Sequence, residues 1–437
     1  MMPLIIIAAL VGGFVVFFAV SPIYGIAFIT AFRTLSILAT VPIGKYEYSG
    51  EGFLTLVVIA VGFIFAMMNS QSLKGVLKWP FIIFIIFCGL TYFVSDDAAN
   101  FSKKLARMIG YFFLYLMVAQ FSRKEGNRKI LSYAFIASII FTNVPAIYVY
   151  YIDPARYMKQ IYSNNQALTE VGIMSKNNFG FFSCYMVFFL MYLYSTAKKN
   201  ASKMIFLALL VFQAALLVLS YTRSAWVGFI LALPIFLFYS KNKARLLFPF
   251  MVILIIAGSL YSVVFYGAYK DLTEKKEYGF SSWHFRTAYA WPASIKAFEE
   301  KPFMGWGLGN DLYALTKASK LKATSHNDYL LVLVETGLIG LSLYIWLLMT
   351  FFVKTITGIY KAEDEQSRML CVSALAIFVA YLIGSVGEHL LQTPGATGSV
   401  ITVLGMAHGT LLGAHNNAVP ESRQEHVEHS LLSVQGS

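Results

Sequence analysis

A short polar stretch, Ser325–Asn327, stands at the head of a long apolar segment. His326 and Asn327 are followed, after nine residues, by Gly337 and then by Gly340. A histidine at the first turn of a membrane helix stays partly hydrated and can exchange a proton near neutral pH. We expect the helix dipole to lower the pKa of His326 and keep the ring neutral. The alternative is a helix cap followed by a face on which the two glycines admit a second helix.

Two arginines at the ends of apolar segments have the chemistry of an anion site. Arg223 lies in the short polar turn Ser220–Ser224, and Arg286 lies in the longest polar stretch. A planar guanidinium can donate to two oxygens of a phosphate or diphosphate at once. For Arg223, snorkelling to lipid headgroups is the alternative. If the long stretch folds back, Arg223, Arg286 and His326 converge on one pocket that holds an anion beside a titratable group.

Further polar residues are secondary candidates for the same pocket. Arg33 lies inside an apolar segment, where a charge is costly and usually functional. Lys176 begins another apolar segment, where a polar residue can also serve as a cap. The others are neighbours of the principal candidates in the sequence: Asn327, His284 and Tyr221.

The sequence offers little for a metal ion. The polar stretches around these candidates contain neither Asp-x-Asp nor His-Glu-x-x-His, and only the adjacent Asp96 and Asp97 could form a pair of ligands. We therefore predict metal-independent chemistry without a cofactor. The three cysteines lie far apart within apolar segments, which is typical of buried thiols rather than of disulfides.

The elements that must position these residues are membrane helices. Of 437 residues, 58% are hydrophobic and 13% are charged, which excludes an ordinary soluble domain. Apolar segments of about 17 to 25 residues predict an all-α polytopic bundle of about 12–13 transmembrane helices. Because Ser21–Pro22 separates the first two so briefly, they could form one broken span. The predicted helices cover residues 3–19, 22–39, 52–68, 79–95, 104–121, 130–151, 174–195, 202–219, 225–240, 244–266, 326–353, 369–387 and 394–413.

The basic residues fix the predicted topology. The net charge of +12 comes largely from lysines and arginines in every second loop, so it indicates cytoplasmic loops rather than a nucleic-acid partner. The chain then divides into N-terminal helices, helices around the Arg223 turn, an outward loop, C-terminal helices opened by His326, and a disordered cytoplasmic tail. In that order, these regions cover residues 1–173, 174–266, 267–325, 326–413 and 414–437.

The outward loop is long enough to be functional rather than a simple connection. Residues 286–300 predict an amphipathic helix at the membrane interface. The alternating glycines of Gly305–Gly309 then predict a flexible turn beside the site.

Together these residues resemble a known family. His326–Asn327, nine residues and Gly337-x-x-Gly340 resemble the signature of bacterial O-antigen ligases, which recurs in O-antigen and exopolysaccharide polymerases and in O-linked oligosaccharyltransferases. Arg223 in its Ser-x-Thr-Arg-Ser turn, Arg286 and the glycine turn support the resemblance, which covers mainly residues 174–353. Thr222 and Ser224 differ from the serine and glycine that often flank this arginine in the family.

The resemblance implies a multi-pass transferase of the bacterial inner membrane with its active site facing the periplasm. Its donor would be a glycan linked to undecaprenol through a diphosphate. Its acceptor would be a sugar of the lipid A core or of a second lipid-linked repeat unit. By the same resemblance, His326 would be the catalytic residue that activates the acceptor hydroxyl, and Arg223 and Arg286 would hold the donor diphosphate.

Two alternatives to a ligase stay open. A repeat-unit polymerase differs in its acceptor: a cell without a ligase would accumulate full-length polymer on the lipid carrier, whereas a cell without a polymerase would make a single capped repeat unit. A lipid-glycan flippase or transporter would also have about twelve helices, but it would carry ionisable residues near the bilayer midplane on broken helices. Here the ionisable candidates lie at the predicted outer ends of the helices.

Overall fold

The computed structural model describes residues 2–33, 40–43, 46–68, 76–152, 170–171, 174–220, 222–240 and 282–417. Most of these residues form helices, and the strands among them are two short antiparallel pairs, Thr40–Ile43 with Tyr46–Ser49 and Glu170–Val171 with Met174–Ser175. The predicted all-α polytopic fold is confirmed. The helices are α1 Met2–Val20, α2 Pro22–Phe32, α3 Gly50–Met68, α4 Trp79–Leu90, α5 Ala98–Phe121, α6 Glu125–Ile152, α7 Lys176–Thr196, α8 Asn200–Leu219, α9 Arg223–Tyr239, a composite α10, α11 Asp311–Ser319, α12 Asp328–Lys361, α13 Glu365–Gly384 and α14 Pro394–Asn417.

Several of these helices can cross a membrane. Within the described part of the chain, six are long and apolar enough by length and composition: α3, α7, α8, α12, α13 and α14. The chain is therefore a multi-pass membrane protein. Most ends lie within a few residues of the predicted ones, and α14 continues past the predicted boundary at 413. The predicted helix 244–266, loop residues 267–281 and the tail from 418 onward lie outside the described residues.

The centre of the bundle is packed closely through small residues. Gly405 and Gly409 of α14 lie against α5 so closely that a Cβ atom at Gly409 would stand 2.6 Å from the carbonyl oxygen of Ala119. Gly228 likewise brings α9 against the carbonyl of Ala380 in α13. Because α13 also packs on α7, the first residues of α7 and α9 come to lie beside the last residues of α13.

The composite helix α10 is the part of the outward loop that reaches the site. It begins as Ser282–Phe285, widens into a π-helical turn over Arg286–Ala290 and continues as Trp291–Glu300. Pro292 lacks the N–H that would continue a regular α-helical ladder, which accounts for a local widening. The predicted helix over 286–300 is thus present. α10 packs on both α11 and α12, so the loop lies over the head of α12.

The glycine turn is buried and ordered by contacts, so the predicted flexible turn is wrong. Gly305, Gly307 and Gly309 all have left-handed backbone, with φ of 69°, 91° and 94°. Each lies against neighbouring backbone, and a Cβ on Gly307 would stand 2.6 Å from Cα of Ser95. The Trp306 side chain between them is 2% exposed and donates from Nε1 to the carbonyl of Ala297 at 2.7 Å. These glycines let the loop lie flat on the bundle.

Gly337 has a related function that the sequence pattern did not reveal. It interrupts α12 with φ 66° and ψ −168°, a conformation that residues with a Cβ essentially avoid. The break opens the helix to the loop: the N–H of Leu338 donates to the carbonyl of Pro302 at 2.8 Å. A Cβ on Gly337 would collide with the carbonyl of Phe303. Gly337 therefore admits the loop backbone, and the expectation that it admits a second helix is wrong.

We predict that Gly337→Ala destabilises the docked loop. The strained backbone alone costs roughly 1–3 kcal/mol, and the collision with Phe303 adds to it. The thermal unfolding midpoint in detergent should fall, and limited proteolysis within residues 301–325 should become faster. Gly89→Ala is the matched control, because Gly89 is a helical glycine with no atom near its Cβ position. Equal midpoints for the two variants would contradict a structural requirement at Gly337.

Candidate functional site

One large cavity lies where the first residues of α7 and α9 meet α10 and the end of α13. Its volume is about 560 Å³. The polar groups that line it include both predicted arginines, and exposed apolar side chains form another part of its wall. The lining residues are Asn177, Thr222, Arg223, Ser224, Val227, Trp283, Arg286, Ile383, Val386, Gly387 and Glu388.

Arg223 enters the cavity from a tightly packed turn. Thr222 is the N-cap of α9 and Arg223 its first residue, so the helix presents its N-terminal N–H groups beside the guanidinium. Gly180 of α7 lets this turn approach, because a Cβ there would meet Thr222 at 2.5 Å. Trp226 Nε1 donates to the carbonyl of Leu217 at 2.8 Å and ties α9 to α8. Arg223 is exposed and has no carboxylate partner among the described residues, so no neighbouring acid competes for its guanidinium.

Arg286 faces the cavity from the π-helical turn of α10 and is held by an acidic neighbour. Its Nη2 donates to Glu388 Oε1 at 2.9 Å, and both side chains are almost buried. Glu388 occupies only part of the guanidinium, which has five N–H donors. The pair therefore fixes the orientation of Arg286 and leaves other N–H groups for a ligand.

His326 stands just before α12 and does not cap it. Asn327 is the N-cap, and its Oδ1 accepts from the N–H groups of Tyr329 and Leu330 at 2.9 and 3.0 Å. His326 has a left-handed backbone with φ 48°, which is uncommon for a residue other than glycine. The interpretation of His326 as a cap is thereby wrong, because a neighbouring side chain performs that function.

The residues around Ser325–Asn327 hold this strained segment on both sides. The N–H of Ser325 donates to Asp311 Oδ2 at 3.1 Å, and the N–H of His326 donates to His389 Nε2 at 2.7 Å. Asp311 is buried on α11, and burial together with the nearby Glu335 raises its pKa to about 7. The candidate histidine is therefore fixed by side chains from two other elements.

The imidazole of His326 is neutral at neutral pH. Burial, followed by the positive charge of Arg286, lowers the pKa of His326 to about 4. The predicted direction thus agrees, although burial is the larger cause. His326 is not among the residues that line the cavity, but its partner His389 follows directly on Glu388, which does. The two arginines share one cavity, and His326 lies within electrostatic reach of Arg286 without lining that cavity.

The secondary candidates have different positions. Arg33 lies away from the cavity, with its Nη2 3.7 Å from Glu51 Oε1 and its guanidinium over the ring of Tyr111. His284 is exposed on α10 and packs edge-on to Tyr289. Lys176 begins α7 directly before Asn177, which lines the cavity. Tyr221 lies outside the described residues.

Sequence reasoning missed three titratable residues at the site: Glu388, His389 and Asp328. Glu388 and His389 form a titratable pair in a short outward loop between two predicted helices, and that pair was the available signal. Asp328 is buried behind Asn327, and its Oδ2 accepts from the N–H of Leu391 at 2.9 Å. No periodic or spacing signal marks it as part of the site.

The acidic pair considered for a metal ion has another use. Asp97 is the N-cap of α5 and accepts from the N–H of Asn100 at 3.0 Å. Across the described ranges, no group of three or more His, Cys, Asp or Glu side chains could hold a metal ion.

Comparison with known proteins addresses the family. The model of the O-antigen ligase family matches residues 205–345, a range that includes Arg223, Arg286 and the His326 motif. Residues 205–345 of this chain are therefore similar to the O-antigen ligase family. The match confirms the resemblance to the O-antigen ligase and polymerase superfamily, and it supports a membrane protein of surface polysaccharide assembly that uses lipid-linked glycans. No curated protein matches the chain.

We predict that substitutions of Asn327 and His326 differ in their effect on the stability of the protein. Asn327→Ala removes the N-cap of α12 and should cost about 1 kcal/mol, seen as a lower thermal unfolding midpoint. Asn327→Ser keeps a capping oxygen and should restore most of the midpoint. His326→Asn should leave the midpoint near that of the wild type, since asparagine tolerates a left-handed backbone. A larger loss from His326→Asn than from Asn327→Ala would contradict this assignment of the cap.

Proposed function

We propose that this protein is a glycosyltransferase of the bacterial inner membrane that moves a glycan from undecaprenyl diphosphate to a sugar acceptor on the periplasmic side. The observation that carries the proposal is the cavity in which Arg223 and Arg286 meet, although 62 positions separate them in the sequence. The family match makes an O-antigen ligase the first candidate, and a repeat-unit polymerase is the alternative. Lipid A core or a second lipid-linked repeat unit would be the respective acceptor.

The periplasmic placement rests on the charges at the two ends of the helices. The cavity lies at the first residues of α7 and α9 and at the last residues of α13. At the opposite ends of these helices, Lys198 and Lys199 follow α7 and Arg368 lies in the first turn of α13. The positive-inside rule favours the cytoplasmic side for such basic residues. The cavity then opens on the other face of the membrane.

The cavity wall suits a lipid-linked diphosphate in two respects. Arg223, the N–H groups at the start of α9 and the free N–H groups of Arg286 favour a diphosphate. Val227, Trp283 and Val386 are large apolar side chains that remain 47%, 53% and 40% exposed. They offer apolar surface to the first units of a polyprenyl chain beside the diphosphate.

The transfer step follows from the same groups. The acceptor hydroxyl oxygen forms a bond to the anomeric carbon of the donor, while the bond from that carbon to the diphosphate oxygen breaks. The electron pair leaves with the diphosphate, and fixed guanidinium groups stabilise its growing negative charge without a metal ion. The hydroxyl proton passes to His326, which is neutral and able to accept it.

We predict that Arg223→Lys and Arg286→Lys impair transfer by purified protein. Lysine keeps the charge but loses the planar two-oxygen grip, and loss of one such stabilising donor costs about 10²- to 10³-fold in kcat. Arg368→Lys is the matched control, because Arg368 pairs with Glu365 at the opposite end of α13. Wild-type turnover by both cavity variants would leave headgroup anchoring as the explanation of the two arginines.

We predict that His326→Asn binds the donor lipid but loses about 10²- to 10⁴-fold in transfer rate, the usual contribution of a general base. In the wild type, kcat/KM should be flat near neutral pH and decline only as the pH falls toward about 4, where His326 takes up a proton. This acid limb should be absent from the residual activity of His326→Asn. Near-normal transfer by the variant would overturn the role of His326 as base.

A further inference from the structure

His326 has an unusual backbone partner. The backbone N–H of His326 donates to Nε2 of the His389 ring, with 2.7 Å between the two nitrogens. The two imidazole rings lie near each other, with centroids 5.3 Å apart. Outside helices and strands, a side chain that accepts a hydrogen bond from a backbone N–H fixes that backbone more directly than packing alone.

The bond defines the protonation of His389. Because Nε2 accepts, it carries no proton, and the ring proton of the neutral tautomer resides on Nδ1. Nδ1 has no hydrogen-bond partner among the described residues and lies 4.0 Å from Asp328 Oδ1, the oxygen of that carboxyl group that is also unpartnered. Burial, followed by the nearby basic groups His326, Lys104 and Arg286, keeps the pKa of His389 well below its usual range.

The backbone of His326 needs such a constraint. Its φ of 48° is left-handed, and a residue with a Cβ pays roughly 1–2 kcal/mol for this conformation. Asp311 holds the preceding N–H, and the Asn327 cap holds the following turn. His389 supplies the bond on the strained residue itself. Without it, the backbone can relax toward ordinary φ values, and the imidazole would leave its place beside the His389 ring.

We propose that His389 is a positioning residue for His326: its Nε2 accepts the backbone N–H of His326 and thereby holds the imidazole where it can take the proton of the acceptor. The inference rests on the proposed function, in which His326 is the base. His389 itself needs no contact with the substrate. The Asp328 carboxyl group behind it favours the tautomer in which Nε2 stays an acceptor.

Two substitutions separate positioning from packing. His389→Phe keeps a ring of similar size without an acceptor, whereas the amide of His389→Gln reaches the place of Nε2 and can accept the same N–H. His389→Phe should lose about 10²-fold in kcat, the cost of a displacement of about 1 Å in a catalytic group. The KM for the donor lipid should not change, because the arginine cavity is intact. His389→Gln should restore most of the wild-type kcat.

A control and a second variant complete the test. His408→Phe removes another buried histidine, which bonds to Tyr115 and Thr355 away from the cavity, and should leave kcat unchanged. If His389→Phe does not fold, His389→Asn takes its place, because its shorter amide stops at the position of Nδ1. The inference is overturned if His389→Gln and the variant without an acceptor lose kcat equally. It is also overturned if the variant without an acceptor keeps the wild-type kcat.

The failure of this inference can be told from the failure of the proposed function. If His326→Asn is inactive while His389→Phe keeps the wild-type kcat, the positioning role is wrong and the base remains. If His326→Asn itself keeps the wild-type kcat, the proposed base is wrong, and the positioning role is wrong with it.

Discussion

The docking of the loop before α12 into the break of that helix at Gly337 is the contact on which the cavity end of the protein depends. α12 has 34 residues, and a straight helix of that length would be roughly 50 Å long, well beyond a hydrocarbon core of about 30 Å. The break separates a head that lies under the loop from a remainder that is itself long enough to span. Backbone groups opened by the break bond to the loop in both directions. Leu338 and Ile339 donate to carbonyls of the loop, and the loop residues Trp306 and Gly307 donate to carbonyls of α12.

Two ion pairs then join elements around the docked loop. Lys104 of α5 pairs with Glu335 of α12, and Arg286 of α10 pairs with Glu388 after α13. Removing one partner of a buried pair is costly, about 3–5 kcal/mol, because it leaves a charge without compensation. These pairs therefore fix relative positions of the elements. Arg223, which lines the same cavity as Arg286, takes part in neither pair.

The sequence predicted the helices well and the loop contacts poorly. Segment lengths and apolar composition placed most helix ends within a few residues. The sequence predicted a flexible turn at Gly305–Gly309 and a helix-packing role for Gly337. All four glycines instead have left-handed backbone and lie in close contact with the backbone of other segments. Glycine in a sequence signals that a side chain is excluded, but it does not say which neighbour excludes it. That neighbour lies far away in the chain.

The sequence by itself determined the class of protein, the spans and the chemical types at the site, because a bilayer demands long apolar helices and because Arg223, Arg286 and His326 stand out at their ends. It also carried the resemblance to the O-antigen ligase family, through the spacing of His326, Asn327, Gly337 and Gly340. Only the tertiary structure decided that the two arginines share a cavity, that Asn327 caps α12, and that His389 holds the backbone of His326. These contacts depend on how α7, α9, α10 and α13 pack, and local composition does not encode the distance between residues on different helices.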